Sequence, residues 1–301
     1  LPAARLTPPR GAQFVRVDRT EPGAYDAVRD TEWDDIVELS FDPDLVTGAL
    51  TALAARARHW TLVSTVSVYA LDDQPGADES AELVDPDEDP TGYGNQKVTN
   101  ERATAAAPGD RLLIVRPGLI AGPGDPSDRF GYWVARLAHV ASMPADEPLD
   151  QPGDVLVPTF DGLWSQAIDV RDLASFVVEA GARSLTGTVN AVGESLPLAH
   201  VVERSAFVAG FTGRLRGRSD AWLAEHGVDH WAGPSSLPLW LPRESAAFSQ
   251  RSDAAYLALG GRRRPLEQTL LDTLADERAR GLDRTRSSGL SRAAERTLLA
   301  L

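Results

Sequence analysis

The chain has 301 residues, 43% of them hydrophobic and 25% charged, a globular mixture with room for one large domain or two smaller ones. Its formal net charge of −14 sets it against a phosphate backbone, so no nucleic-acid partner is expected. It has no cysteine, which excludes a disulfide, a thiolate nucleophile and a cysteine–zinc site. No apolar run reaches the length of a membrane span, so the sequence reads as a soluble, cytoplasmic protein. Of its 30 basic residues only Lys97 is a lysine. That bias fits drift toward arginine codons in a GC-rich genome. A lysine that survives such drift asks for a chemical reason, because a guanidinium cannot replace a compact ammonium.

Taken in order, the first two-thirds alternates β-rich runs with helical spacing, the pattern of a parallel sheet with crossover helices. Strands are predicted at Gln13–Asp18, Asp35–Leu39, Trp60–Ser64, Arg111–Arg116, Ser165–Val170 and Gly187–Ala191. Helices are predicted at Pro22–Arg29, Pro43–Ala57, Tyr93–Ala107, Phe130–Ala141, Leu173–Ala180, Pro197–Ala209 and Pro265–Arg280, with a short one ending the tail after residue 284. Residues 71–90 and 142–164 read as loops, the first strongly acidic. From Arg214 to Leu241 the pattern blurs.

The motif that carries chemistry is Tyr93-Gly94-Asn95-Gln96-Lys97. Residues four apart lie on one helix face. An ammonium beside a phenol favours its ionised form, and such a phenol can exchange a proton with a substrate oxygen. Tyr-x-x-x-Lys alone is a weak motif. Here the sole lysine follows one of only five tyrosines at that spacing, a coincidence of about 2% for a lysine placed at random. Upstream, Val63-Ser64-Thr65-Val66-Ser67-Val68-Tyr69 ends a predicted strand, where ligands bind in open α/β sheets.

Those two segments, followed by Arg116-Pro117-Gly118-Leu119-Ile120-Ala121-Gly122-Pro123-Gly124, resemble in order the extended short-chain dehydrogenase/reductases, the NAD-dependent epimerase and dehydratase group. The resemblance runs from about Phe14 to Ala174. It implies a Rossmann-like parallel sheet, with residues 1–122 and 165–192 as the dinucleotide-binding domain. Residues 123–164 and 193–301 would form a smaller substrate-binding lobe. It implies NAD or NADP as cofactor and oxidoreduction or epimerisation at a carbinol or carbonyl carbon. A nucleotide sugar or a small alcohol or ketone would be the substrate, and a homodimer the assembly. Residue by residue, Tyr93 would be the acid–base, Lys97 would tune it and hold the nicotinamide ribose, and Thr65 would be the catalytic hydroxyl. Asp18, with Arg19 beside it, matches the acidic residue near the adenine. Ser40, Ser64, Pro117 and Gly118 match positions along the cofactor. Glu38 departs from the small or amide residues usual at its place.

The family opens with a strand, a glycine-rich turn and a helix, the turn meeting the pyrophosphate with main-chain N–H groups. Nothing in this sequence corresponds. The first residue is Leu1 and the only methionine is Met143, so the expectation is a leading segment removed by truncation, or else lost together with dinucleotide binding. The first two strands of the sheet would then be missing, and a non-catalytic binding or scaffold protein on a decayed dehydrogenase fold stays open beside the enzyme.

Other candidates are weaker. His226 and His230 stand four apart, but Gly227 weakens the helix that spacing needs and no third ligand appears, so no metal is expected. The acidic residues from Asp72 to Asp89 read as a solvated face. Trp222, Trp231 and Trp240 either wall the substrate side or pack the second lobe. The arginines at 262–264, 284 and 286 make the C-terminal end locally basic. The missing phosphate turn generates one prediction. Titrating this chain with NADH or NADPH should give only weak binding, and a micromolar dissociation constant would mean that the phosphates are held by some other element.

Overall fold

The computed structural model describes residues 10–143 and 153–301. In chain order it contains β1 (Ile36–Glu38), α1 (Pro43–Leu53), β2 (Trp60–Val63), α2 (Tyr93–Ala106), β3 (Leu112–Pro117), β4 (Leu119–Ala121) and α3 (Gly131–Ala141). Then come β5 (Asp154–Pro158), β6 (Trp164–Asp169), α4 (Val170–Arg183), β7 (Gly187–Ala191), β8 (Ser195–Pro197), α5 (Leu198–Ala209) and β9 (Arg214–Arg218). The chain closes with α6 (Asp220–Glu225), β10 (Asp229–Trp231), β11 (Ser236–Pro238), α7 (Ala254–Ala258), α8 (Leu266–Arg280) and α9 (Arg292–Leu299).

The central sheet has the order β1-β2-β3-β7, and all its pairs are parallel. Its two central strands, β2 and β3, are short, largely apolar runs buried on both faces, as parallel strands covered by helices must be. One layer packs Val46, Leu50, Trp60 and Leu62 between α1 and the sheet. The other packs Leu113, Val115, Phe176 and Val189 under α4, with Tyr256 of α7. A larger core, built on α3, α5 and α8 with Trp133, Trp240 and Leu156, lies beside them. The Rossmann-like α/β expectation therefore holds. No helix among the described residues is long and apolar enough to cross a membrane.

The expected strands at 35–39, 60–64, 111–116, 165–170 and 187–191 all appear, within two residues. Gln13–Asp18 does not form a strand. It is an exposed coil, with Phe14 67% exposed, because no strand among the described residues lies beside it to complete a ladder. Likewise β1 is an edge of its sheet. Pro22–Arg29 is a succession of turns, since Gly23 takes a φ of +78° at what would be the helix start. The expected loop 142–164 hides β5, which pairs with β9. The arginines at 214, 216 and 218 masked β9, and Arg216 is tied to Asp154 across the pair at 2.5 Å. The blurred stretch to Leu241 holds β9, α6, β10 and β11.

Helix α2 has no apolar stripe. Its buried residues are Lys97, Val98, Asn100, Glu101 and Thr104, so hydrogen bonds rather than apolar burial do most of its docking. Asn100 Nδ2 donates to the Phe41 carbonyl (2.9 Å), while the buried Thr104 hydroxyl is satisfied within the helix by the Asn100 carbonyl (2.6 Å). Its start is pressed against the short 3₁₀ turn Val66–Val68, which Thr65 caps by accepting from the Ser67 amide (3.1 Å). A Cβ at Gly94 would lie 2.2 Å from the Ser67 carbonyl oxygen. Only glycine permits that approach, and it brings Tyr93 beside the Thr65 turn. Gly94→Ala should therefore cost about 1–3 kcal/mol of stability, as other overpacked sites do. Urea unfolding checks this, and an unchanged midpoint would mean that the helix shifts freely.

Candidate active site

A cleft of about 610 Å³ opens at the carboxyl ends of β1, β2 and β3, where open parallel sheets bind their ligands. Thr65, Tyr93, Lys97, Pro117 and Gly118 all line it, with Ser64. Residues from separate segments of the sequence thus meet at one place. Gly118 is closely packed there: a Cβ would come 3.1 Å from the Val192 side chain.

Tyr93 is half exposed and meets Phe41 edge-on at 5.9 Å. Thr65 is buried, and its hydroxyl donates to Ser67 Oγ at 3.2 Å. Lys97 is almost wholly buried. Its Nζ donates to three main-chain carbonyls, those of Val63 (2.7 Å), Ser40 (2.9 Å) and Leu39 (3.3 Å). The lysine thereby clips the end of β1 to the end of β2. Burial lowers its pKa to about 8, against the pull of Glu38 and Glu101 toward the charged form. Ser40 enters this arrangement through its carbonyl, while its own amide donates to Glu38 Oε1 (2.8 Å).

Beneath the cleft lies a buried polar network. Ser64 Oγ donates to Glu101, and Arg116 grips the same carboxylate with Nε (3.0 Å) and Nη2 (2.7 Å). Arg116 Nη1 donates to Tyr69 Oη (3.0 Å), which donates to Asn190 Oδ1 (2.6 Å). Burial opposes the charge on Arg116, yet Glu101 holds its pKa above the ordinary arginine value. Sequence reasoning missed Glu101. Its signal was present, since Tyr93, Lys97 and Glu101 repeat every four residues on one helix face.

Asp18 and Arg19 lie apart from the cleft, in a shallow depression formed by residues 16–20 and Leu45. Asp18 accepts from the Thr20 hydroxyl (2.7 Å) and amide (3.0 Å), which lowers its pKa. Arg19 chelates Glu38 (3.2 and 2.6 Å) and donates to the Leu45 carbonyl (2.7 Å). Glu38, the residue out of keeping with the family pattern, is thus bound to Arg19 at the sheet edge. The histidine pair is split between two aromatic stacks, His226 on Trp222 (4.0 Å) and His230 on Trp240 (3.7 Å). Trp240 is core and Trp231 lines the cleft.

Fold and cleft together define a Rossmann-like α/β protein of the architecture used by NAD(P)-linked epimerases and reductases. Among solved structures the chain is similar to a protein of Burkholderia cenocepacia J2315 provisionally assigned as an epimerase. The two share 20% identity over 92% of this chain and 88% of that one, with a TM-score of 0.65. It is also similar to RMD from Pseudomonas aeruginosa complexed with NADPH, at 17% identity, 89% of each chain and a TM-score of 0.64. A third is UDP-glucuronic acid 4-epimerase from Bacillus cereus in complex with NAD, at 15% identity, 89% and 81% coverage and a TM-score of 0.59. No family model and no curated protein matches the sequence.

The lysine gives a direct test of this geometry. Labelling with ¹³Cε-lysine should yield one resonance, titrating near pH 8 rather than 10.5. A midpoint near 10.5 would show the amine to be exposed. The unfolded chain holds this proton more tightly. The group's stabilising contribution is therefore present above pH 10.5 and lost as the pH falls to about 8.

Proposed function

We propose that the chain is an NAD(P)-dependent oxidoreductase or epimerase acting at a carbinol or carbonyl carbon of a small molecule. The observation that carries this reading is the meeting of Thr65, Tyr93, Lys97, Pro117 and Gly118 in one cleft at the sheet's carboxyl edge. Tyr93 takes or returns the proton on the substrate oxygen. Thr65, turning its hydroxyl hydrogen away from Ser67 Oγ, donates a hydrogen bond that orients the same oxygen. The buried charge of Lys97 lies behind, where a cation favours an ionised phenol. The network of Glu101, Arg116 and Ser64 keeps the floor rigid, so that these groups are held in place before substrate arrives. The remainder of the reading is a cytoplasmic enzyme, a homodimer, with a sheet domain and a substrate lobe divided as the resemblance implies. Its net charge of −14 supports a small molecule over nucleic acid as its partner.

The cleft residues fit the nicotinamide end of the cofactor. Thr65, Tyr93, Pro117 and Gly118 would hold it, and it would supply the hydride acceptor or donor. The phosphate end is not provided for among the described residues. No glycine-rich turn is present, and Asp18 lies in a different depression.

A second reading, a binding protein on a decayed dehydrogenase fold, draws on one observation. All three hydrogens of the Lys97 ammonium are engaged by main-chain carbonyls, as in a structural clip. Turnover separates the two. Screening alcohols and nucleotide sugars with NAD and NADP, followed by nicotinamide absorbance, should find a substrate. Tyr93→Phe should then cut the rate by about two orders of magnitude or more with the unfolding midpoint unchanged. Normal turnover in that variant would remove Tyr93 from the chemistry.

A further inference from the structure

The same cleft contains a second cation that the proposed chemistry leaves unused. Besides Tyr93, the ionisable groups lining it are Lys97, Asp125 and Arg129. The cleft thus carries an excess of one positive charge in a chain of net charge −14, and such a local contrast concentrates anions. Arg129 is half-buried between β4 and α3. Its guanidinium carbon lies 4.9 Å from the centroid of the Trp231 ring, and its Nε donates to Ser127 Oγ at 3.2 Å. The arginines near it are consumed by carboxylates: Arg280 by Asp128 and Arg286 by Glu277. Among the described residues no carboxylate lies within 4.0 Å of Arg129. Asp125, on the same turn, favours its charge from farther off while burial opposes it. One oxygen of Asp125 accepts from the Ser127 amide (2.8 Å).

The surrounding backbone is built to aim this side chain. Asp128, immediately before Arg129, has a φ of +60°, and Trp231 has a φ of +64°. Aspartate tolerates that region better than most residues, but tryptophan does not adopt it readily, at about 1–3 kcal/mol, and such strain gathers at ligand sites. Both are held there by strong contacts. The buried Asp128 carboxylate is gripped by Arg284, Arg280 (3.2 Å) and the Ser287 amide (2.8 Å). The Trp231 amide donates to the Trp240 carbonyl (3.0 Å), and Phe248 packs edge-on against its ring at 5.5 Å.

We infer that Arg129, set over the Trp231 ring, is the anion-recognising residue of this cleft, and that the substrate carries a carboxylate or phosphate beside an apolar body. The inference deepens the proposed function and rests on it for the word substrate. The anion would meet the free edge of the guanidinium, and the apolar body the faces of Trp231 and Phe248. With Nε given to Ser127, the two terminal nitrogens of the guanidinium over the indole present parallel N–H donors, the geometry that matches a carboxylate or phosphate edge.

The test needs neither cofactor nor turnover. Phenyl phosphate, benzoate and neutral benzyl alcohol are titrated calorimetrically against the whole chain and its variants. Saturable binding of an anionic probe is expected, at least about ten-fold weaker in Arg129→Gln and partly restored in Arg129→Lys, with benzyl alcohol indifferent to the change. Whichever anion binds more tightly assigns the group. Equal affinity in wild type and Arg129→Gln would overturn the inference, as would a wild type that prefers benzyl alcohol or binds neither anion. A wild type that prefers the alcohol overturns the inference even if a variant fails to fold. Anion binding that depends on Arg129, in a protein whose Tyr93→Phe variant turns over normally, would retain this inference while sinking the catalytic reading.

Discussion

The contact on which the cleft depends is one ammonium group shared among three carbonyl oxygens. Lys97 reaches from α2 to the ends of β1 and β2 and holds Leu39, Ser40 and Val63 around a single point. Arginine could not serve, because its planar fork does not converge on a point. This accounts for a chain that replaces lysine with arginine everywhere else. It also explains how a helix with no apolar stripe can lie against a parallel sheet. Its inward face is a row of polar groups, and nearly every one has a partner. One buried atom, Asn100 Oδ1, has none.

Most of the sheet was legible because its strands are short, apolar and closed by Pro, Gly or Ser. The Tyr93–Lys97 spacing, the hydroxyls after β2 and the Pro117-Gly118 step were legible for a different reason. Each follows directly from where a strand ends or a helix begins. Three kinds of information were hidden. Gln13–Asp18 has the composition of a strand, but composition does not say whether a neighbour lies beside it. β9 alternates arginine with small or apolar residues, so its pairing with β5 is invisible until Asp154 is seen to neutralise Arg216. The cleft-facing roles of Arg129 and Trp231 come from left-handed backbone at Asp128 and Trp231, which leaves no mark on a one-dimensional pattern.

Charge is distributed with a consistent logic. The chain is acidic overall, yet its buried carboxylates are nearly all answered by arginines. Glu101 faces Arg116, Glu295 faces Arg292, and Asp128 with Glu277 gathers Arg280, Arg284 and Arg286. The basic C-terminal segment is therefore internal bracing more than a partner surface. Such pairs add little net stability against apolar alternatives, but removing one member leaves a buried charge behind. Two of these braces sit directly under the cleft, one below β3 and one below the turn that carries Arg129. The acidic loop takes part as well, since Glu79 accepts the Asn190 amide (2.6 Å) and Asp72 pairs with Arg251. It is fastened at several points rather than simply bathed in water, the Asp72 and Ala77 carbonyls also accepting the Ala247 and Ser252 amides.

The solitary lysine also turns the molecule into its own gauge. A protease specific for lysine has one peptide bond to cut in this sequence, and that bond lies inside α2 with its recognition side chain sealed against the sheet. The intact fold offers the enzyme nothing. Scission proceeds only in the fraction of molecules whose helix has lifted away, so its rate counts those openings. Any small molecule that occupies the cleft and steadies α2 would slow the cut, whatever its chemistry.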